Sequence, residues 1–592
     1  MINEVSRRLA DAKMVVIDVE TNGLDWRNCF ICGWVFTFGP REEDTYYLPV
    51  RHETGPNYDP AKVRDMFNSH QDVARHWVGH NLAFDLAFIH KECDPINGTF
   101  EDTMINACLI NEFEESYSLA ACAENVNVQS KKSSEILQHI ANTFGGDAHK
   151  NRMGEFWRLP ADDDMAHEYA RGDGTTTWQL WEVQQRRLEM QELGQVHKIE
   201  CDLIPVLNRM TMRGIKIDVS YLHRLKEHLE KEHTVLMKEI GGDTNINSSK
   251  QIAQFFADRG YSGWPTTEKG NPSFTEEWLS TNELGQKFVN VRRVSKMLSS
   301  FVDPILERHL HNGRVHPQYN QLKSDEFGTV TGRLSSSSPN VQAVPKRNAD
   351  SGIPFRAIFV PDDGMIWGSA DYSQCEPRLL AHYSNCKVLV DGYSADPPVD
   401  AHTAVANAAG IDRQSGKRLN QALLTGAGIK KATLMLGKPP KEAEAIVKQY
   451  FASMPEIRTL QEQAASVMRE RGYVKSIFGR RARLEKSGYE YKAVNRLLQC
   501  SNADMIKVSM VKVDEYCMSV GGIDMLNNVH DSIDFQYDPD RVDAYRGAIE
   551  IMCQFPQVNI PIVVDDDTGS NWGEASYGTK YYEEVMAKKG LK

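Results

Sequence analysis

The chain has 592 residues, of which 41% are hydrophobic and 25% charged, with a formal net charge of −13. That length implies about four domain-sized units, and the composition is that of a soluble globular protein. No apolar run approaches the roughly 20 residues that span a bilayer, and the first twenty residues lack the apolar core of a secretory signal, so a cytoplasmic location is expected.

The 11 cysteines are scattered and odd in number, as reduced thiols would be. Net acidity argues only weakly against a nucleic-acid partner, because global charge sets long-range fields rather than local contacts.

The segment MVVIDVETNGL (14–24) reads as an apolar strand whose end presents two acids. Asp18 and Glu20 stand two apart, so both side chains leave the same face and can share a cation. GWVFTFG and DTYYLPV are strand-like, and alternating helical and apolar segments run to about residue 185, an α/β pattern. Cys29 and Cys32 form a CxxC, but no second Cys or His pair stands at metal-ligand spacing, so both are expected to be buried strand residues.

Asp85 follows in GHNLAFDLAFI, and Asp173 in YARGDGTTTWQLW, four residues after Tyr169 and on the same side of a helix. Four carboxylates from three segments, with a tyrosine, can hold two Mg²⁺ ions and orient a water for in-line attack at phosphorus. A DxE on a strand is more often a solvated rim; the ordered set DxE, NxxxD, YxxxD is far more specific.

Residues 197–238 read as helical, and the heavily charged YLHRLKEHLEKEHTVLMKE is expected to expose most of its surface. An antiparallel solvated pair without contact duty is the plain alternative there. TEKGNPSF breaks the pattern near residue 270. TGRLSSSSPNVQAVPKR (331–347) has four consecutive serines, yet Arg333, Asn340, Gln342 and Arg347 make it a poor flexible linker.

A strand, MIWGSADYS, then mostly helix to about 515, a hairpin, MLNNVHDSIDFQY, and PIVVDDDTGSNWGEA complete the chain. Asp371 ends the first of these strands and Asp531 sits at the hairpin turn. Joined on one sheet, they can bridge two Mg²⁺ ions, one for a primer 3′-hydroxyl and one for the pyrophosphate leaving group. Between them Arg413, Lys417, Gln421 and Thr425 recur every four residues and line one helix face. Arg413 offers a fork of donors to a triphosphate and Lys417 a compact charge, with His402 as a further phosphate donor. A cationic helix face is usually only solvated, and it is the flanking acids that shift the balance here.

The N-terminal set resembles the DEDD-type 3′→5′ proofreading exonucleases with tyrosine, whose fold is related to ribonuclease H, over roughly residues 10–185. From about 197 onward the motifs TGRLSSSSPNVQAVP, DYSQCEPRLLAH, the Arg–xxx–Lys helix and VHD resemble the family A DNA polymerases in order. NINSSKQI, GYVKSIFGRR, NRLLQCSNADMIK and SNWGEA also match.

The resemblance implies a multidomain α/β and α+β chain: an exonuclease at 1–190, thumb and start of palm at 191–320, palm at 321–400, fingers at 401–495 and the rest of the palm at 496–592. It implies a monomer that uses two Mg²⁺ per active site, with Mn²⁺ as a substitute, and acts on primer–template DNA and dNTPs. A processivity factor, a helicase or a single-strand-binding protein would be further partners, in a host cytoplasm if the chain is phage-encoded.

By the same resemblance Lys417 joins the catalytic groups, Glu376 excludes a ribose 2′-hydroxyl, and Arg333, Asn495, Gln499 and His530, with Asn340 and Gln342, touch DNA. The minor groove shows acceptors at similar positions for every base pair, so donors there check shape without reading sequence.

Three departures stand out. Gln421 replaces an aromatic residue and is followed by Ala422 where glycine is common; Thr425 replaces a tyrosine beside the templating base; Ser532 replaces the acid that usually follows the last aspartate. They bear on base selection, including selection of a modified base such as 2-aminoadenine, and leave metal ligands and phosphate-binding cations in place. A single-subunit RNA polymerase would share the two aspartates and the Arg/Lys helix, but Glu376 and a complete proofreading site count against it. An inactive DNA-binding scaffold would have little reason to keep both sets of metal ligands.

Overall fold

A computed structural model describes residues 1–130, 133–148, 153–241, 244–267, 269–325, 327–346, 348–424 and 434–591. Near the N-terminus five strands form one sheet in the order β3-β2-β1-β4-β5. They are β1 (Met14–Thr21), β2 (Ile31–Thr37), β3 (Thr45–Pro49), β4 (Arg75–Gly79) and β5 (Gly98–Asp102). Val15, Val16, Ile17 and Val19 make β1 a β-branched run suited to the sheet centre, where it pairs antiparallel with β2 and parallel with β4. Cys32 is buried within β2 as expected, whereas Cys29 lies half-buried in the preceding loop.

Helices α1 (Leu82–Glu92), α2 (Thr103–Ile110) and α3 (Asp164–Met190) pack on this sheet. Asp163 caps α3 by accepting from the Ala166 amide at 2.9 Å. Gly174 brings α3 against β2, since a methyl group there would run into Thr37 and Val35. That approach sets the depth at which the neighbouring Asp173 meets β1.

Helix α4 (Gly194–Arg213) excludes the solvated-pair alternative for 197–238. Val196 and Ile204 join the core of the N-terminal sheet, while Ile199, Leu203 and Leu207 join the large C-terminal core. Its apolar residues lie on two faces, so it is packed from both sides instead of pairing with the next helix. That next helix, α5 (Val219–Glu239), buries only Tyr221, Leu222, Leu225 and Leu229 and packs against α6 (Glu283–Met297), in keeping with its charge.

The C-terminal sheet is wholly antiparallel, in the order β7-β8-β6-β9. It is built from β6 (Ile366–Tyr372), β7 (Ile523–Val529), β8 (Ser532–Tyr537) and β9 (Val564–Gly569). Behind it runs α10 (Ala493–Val520), a 28-residue helix buried along most of its length, which ends at Gly521 with φ +64°. Helices α7 (Cys375–Ser384), α8 (Ala401–Ala409) and α9 (Arg413–Leu424) lie between β6 and α10 in sequence. A small hairpin, Tyr473–Lys475 with Arg481–Arg483, interrupts the region expected to be helical, over GYVKSIFGRR and the two residues after it.

Candidate active sites

The first acidic site forms where α1 and α3 meet the end of β1. Asp85 Oδ1 accepts the Val19 amide at 2.9 Å, which pins it between Asp18 and Glu20. Burial, then the charges of Asp18, Asp173 and Asp85, push Glu20 well above its ordinary range. Burial raises Asp18 to about 6 despite a hydrogen bond with Asp85, and Asp173 to about 7 despite one with Tyr169. Burial and then Asp18 likewise raise Asp85.

The influences on these four carboxylates are thus burial, one another, the nearby Asp102 and neutral donors. Oxygen donors gathered without a cation suit a hard divalent ion, so the residues present fit Mg²⁺. No periodicity in the sequence singles out Asp102. Its carboxylate accepts the amides of Asn81 at 3.0 Å, Leu82 at 2.8 Å and Met104 at 2.8 Å, capping α1 and α2 together. Asn81 takes the left-handed conformation there, with φ +59°. Asp102 thereby aims α1, and with it Asp85, at the strand. Its only signal was an acid in the short polar junction EDT.

Beside this site a cleft of ≈ 670 Å³ separates the N-terminal sheet from the C-terminal region, lined by Leu24, Phe84, Tyr117, Tyr319, Lys323 and Phe327 among others. Glu101, His197 and Cys201 also place ligand atoms within 4.8 Å of one another. The Glu101 carboxylate, however, is already filled by His76 at 2.9 Å, His197 at 3.1 Å, Asn106 at 2.6 Å and Gln185 at 2.5 Å, so this cluster is a closed hydrogen-bond junction.

The second acidic site lies on the C-terminal sheet. Asp371 pairs across the ladder with Ser532, and the Tyr372 amide donates to the Asp531 carbonyl at 3.1 Å, so Asp531, in the turn that leads into β8, lies beside the end of β6 that carries Asp371. Asp531 follows His530, whose φ of +57° forms the tight turn that presents it. Burial raises Asp371, offset by Lys346, with Asp531 and Asp565 adding to the rise. Asp565 is the cross-strand partner of Asp371 on β9 and is exposed. The run DDD in the terminal segment was its sequence signal. Lys346 Nζ lies 3.1 Å from Asp371 Oδ2.

Glu376, in the first turn of α7, accepts from Arg333 at 2.6 Å, and the same guanidinium lies 3.7 Å from Asp531. Arg333, Glu376 and Asp531 therefore form one charged string beside the aspartate pair. Burial raises Glu376, countered by Arg333.

On α9, Arg413 and Lys417 are both exposed. Arg413 donates to Asp400 at 3.2 Å and lies 3.2 Å from Thr403 Oγ1, and His402 Nδ1 meets Asn420 at 3.2 Å. Gln421 falls on the same helix, while Thr425 lies outside the described residues.

Of the expected DNA-contacting side chains, Asn340 caps the turn at 341–343 through Ala343 at 3.1 Å. Gln342 donates to the Asn528 carbonyl at 3.1 Å, linking this segment to the hairpin. Asn495 and Gln499 lie one turn apart and half-buried on α10, and His530 is exposed at the hairpin tip.

Residues 219–574 match the family described as DNA polymerase family A, and residues 1–189 the one described as 3'-5' exonuclease. The DNA polymerase DpoZ of Salmonella phage PMBT28 is 30% identical, over 96% of this chain and 98% of its own length. DNA polymerase I of Pseudomonas aeruginosa is 29% identical over 96% of this chain and 64% of its own. Among solved structures, the POL domain of Pol1 from M. smegmatis, in complex with DNA primer-template and dNTP, shares the fold. Its TM-score is 0.81 at 20% identity, covering 97% of this chain and 98% of that one.

Proposed function

The chain belongs to family A of the DNA polymerases, and from that premise we propose which of its residues carry out synthesis and proofreading. It is a DNA-directed DNA polymerase with a 3′→5′ exonuclease domain, of the type found in phages. Its substrates are read as primer–template DNA and dNTPs, its setting as replication of a phage genome in the host cytoplasm. Among the described residues no helix is long and apolar enough to cross a membrane.

The observation that carries the polymerase assignment is the placement of Asp371, at the end of β6, beside Asp531, in the adjoining hairpin turn, with Arg333 and Glu376 alongside. Both sites are of a kind that uses divalent metals. We assign two Mg²⁺ to each: Asp371 and Asp531 would hold one pair, and Asp18, Glu20, Asp85 and Asp173 the other. When bound, such cations neutralise phosphate charge and make a hydroxyl or a water a better nucleophile.

The protein's own groups do the rest. Arg413 exchanges Asp400 for the triphosphate, and Lys417 and His402 complete the phosphate contacts. Tyr169, hydrogen-bonded to Asp173, orients the attacking water in the exonuclease, and the adjoining cleft takes the unpaired primer end. Arg333, Gln342, Asn495, Gln499 and His530 face the minor groove of the nascent duplex. Primer extension on a defined template, with each dNTP supplied singly, tests the assignment. Template-independent addition, or none, would end it.

Glu376 is read as the sugar gate. Its carboxylate, held by Arg333, fills the space beside the nucleotide's C2′. Glu376→Ala is expected to raise ribonucleotide over deoxyribonucleotide incorporation by ~10- to 200-fold, the range for steric discrimination in a pocket. Single-nucleotide kinetics with an unchanged ratio would remove Glu376 from this role.

We assign base choice to Gln421 and Thr425. An aromatic residue at such positions stacks almost blindly to base identity, worth ~1–3 kcal/mol per base in related contacts. Gln instead offers a donor and an acceptor, and Thr a wider polar pocket. This suits a modified base such as 2-aminoadenine, whose extra amino group lies in the minor groove. On an exonuclease-dead background, wild type should prefer that triphosphate to dATP opposite thymine, and Gln421→Phe/Thr425→Tyr should lose the preference. The proofreading-competent enzyme is measured alongside. No preference in either background would refute the modified-base reading, and a preference that survives the aromatic residues would clear these two positions.

A further inference from the structure

Asn502 sits within α10, 1% exposed, among Leu498, Ala503, Met505 and Ile506. Its Nδ2 donates to Asp531 Oδ1 at 2.7 Å, while its Oδ1 is buried and has no hydrogen-bond partner among the described residues. The opposite amide orientation would turn Oδ1 toward a carboxylate, so the network fixes Nδ2 on Asp531. An apolar side chain would fill this place in the helix without stranding an acceptor, which makes the amide a poor choice for folding alone.

Among the described residues, Asp531 has no comparable donor elsewhere. Arg333 is farther from the same oxygen, at 3.7 Å, and is committed to Glu376 at 2.6 Å. Ser532, which stands beside Asp531, closes the turn by donating to the Val529 carbonyl at 3.0 Å, and its own carbonyl accepts from Asn528 at 2.9 Å. The hairpin thus fixes the backbone of Asp531, and α10 fixes its side chain.

We propose that Asn502 is a positioning residue for the polymerase reaction: it engages Oδ1 of Asp531 and so leaves the other carboxylate oxygen for a cation that Asp371 would also help to hold. This rests on the reading of Asp531 as a metal ligand. Groups that orient a ligand from behind typically change metal affinity or activity by ~10- to 100-fold when removed.

The test uses the full chain with its exonuclease carboxylates removed (Asp18→Ala/Glu20→Ala), so that Mn²⁺ reports on the polymerase site alone. Binding of Mn²⁺ to the complex with dideoxy-terminated primer–template and dNTP is followed by electron paramagnetic resonance, without turnover. Asn502→Ala and Asn502→Leu should each weaken Mn²⁺ binding about 10-fold. The Mg²⁺ concentration for half-maximal extension should rise in proportion, with primer–template affinity and the thermal unfolding midpoint unchanged or the midpoint raised.

Unchanged Mn²⁺ binding in the folded leucine variant would overturn the proposal, as would losses that merely track a lowered midpoint. Asp531→Asn separates the two layers. If it leaves Mn²⁺ binding intact, the ligand assignment fails. If it abolishes binding while the Asn502 variants do nothing, the positioning role alone fails.

Discussion

Asp371→Asn or Asp531→Asn should reduce primer extension by well over 100-fold while leaving 3′→5′ digestion of single-stranded DNA near its wild-type rate. Removing groups that merely support a metal ligand costs ~10- to 100-fold, so removing the ligand itself should exceed that. Asp18→Ala or Asp85→Ala should do the reverse. The two acid sets stand on different sheets with different cores, and no strand is shared between them. The exonuclease variants should also fold well. Asp18→Ala deletes one of four buried carboxylates that repel one another, so its metal-free unfolding midpoint is expected to hold or rise, whereas Asp85→Ala also strands the buried Val19 amide and should lower it modestly. Extension and digestion assays on the same preparations decide the matter. A folded variant that lost both activities would sink the two-site reading.

What the sequence disclosed follows from where local periodicity operates. Asp18 and Glu20 could be joined because a strand repeats every two residues, and Tyr169 with Asp173 because a helix returns to its face after four. The hairpin around Asp531 was legible from its alternating apolar residues, and β6 from its apolar run. The groups that hold these acids in place were not. Asp102 caps two helices from a loop, Lys346 reaches Asp371, and Asn502 reaches Asp531 from a helix that reads as ordinary core. Such contacts depend on how elements dock, which no local period encodes. The solvated-pair alternative for α4 stays open in the sequence for the same reason: its second apolar face has meaning only once two cores exist to receive it.

Glu200→Leu should lower the thermal unfolding midpoint by several degrees and speed heat inactivation of polymerase activity, although residue 200 touches neither acidic site. Glu200 on α4 and Lys507 on α10 are 0% exposed, as is Asp504, and Arg480 is buried beside them. Burial alone would push Glu200 up, but Lys507 and Arg480 outweigh it and hold it below the usual carboxylate range. Lys507 donates to Glu200 at 2.7 Å and to the Gln321 carbonyl at 2.8 Å, and Arg480 bonds both Glu200 and Asp504.

With Glu200 gone, Arg480 keeps Asp504, but Lys507 keeps only a carbonyl at close range. An uncompensated buried charge of this kind costs about 3–5 kcal/mol. Because the chain has several cores, the loss is read as a shift in the midpoint and in the inactivation rate, not as one unfolding free energy. The second variant makes the argument decisive. Replacing a buried pair by apolar groups is often neutral, so Glu200→Leu/Lys507→Met should recover much of the loss. A double variant no more stable than Glu200→Leu would show that packing around α4, rather than the stranded ammonium, sets the cost.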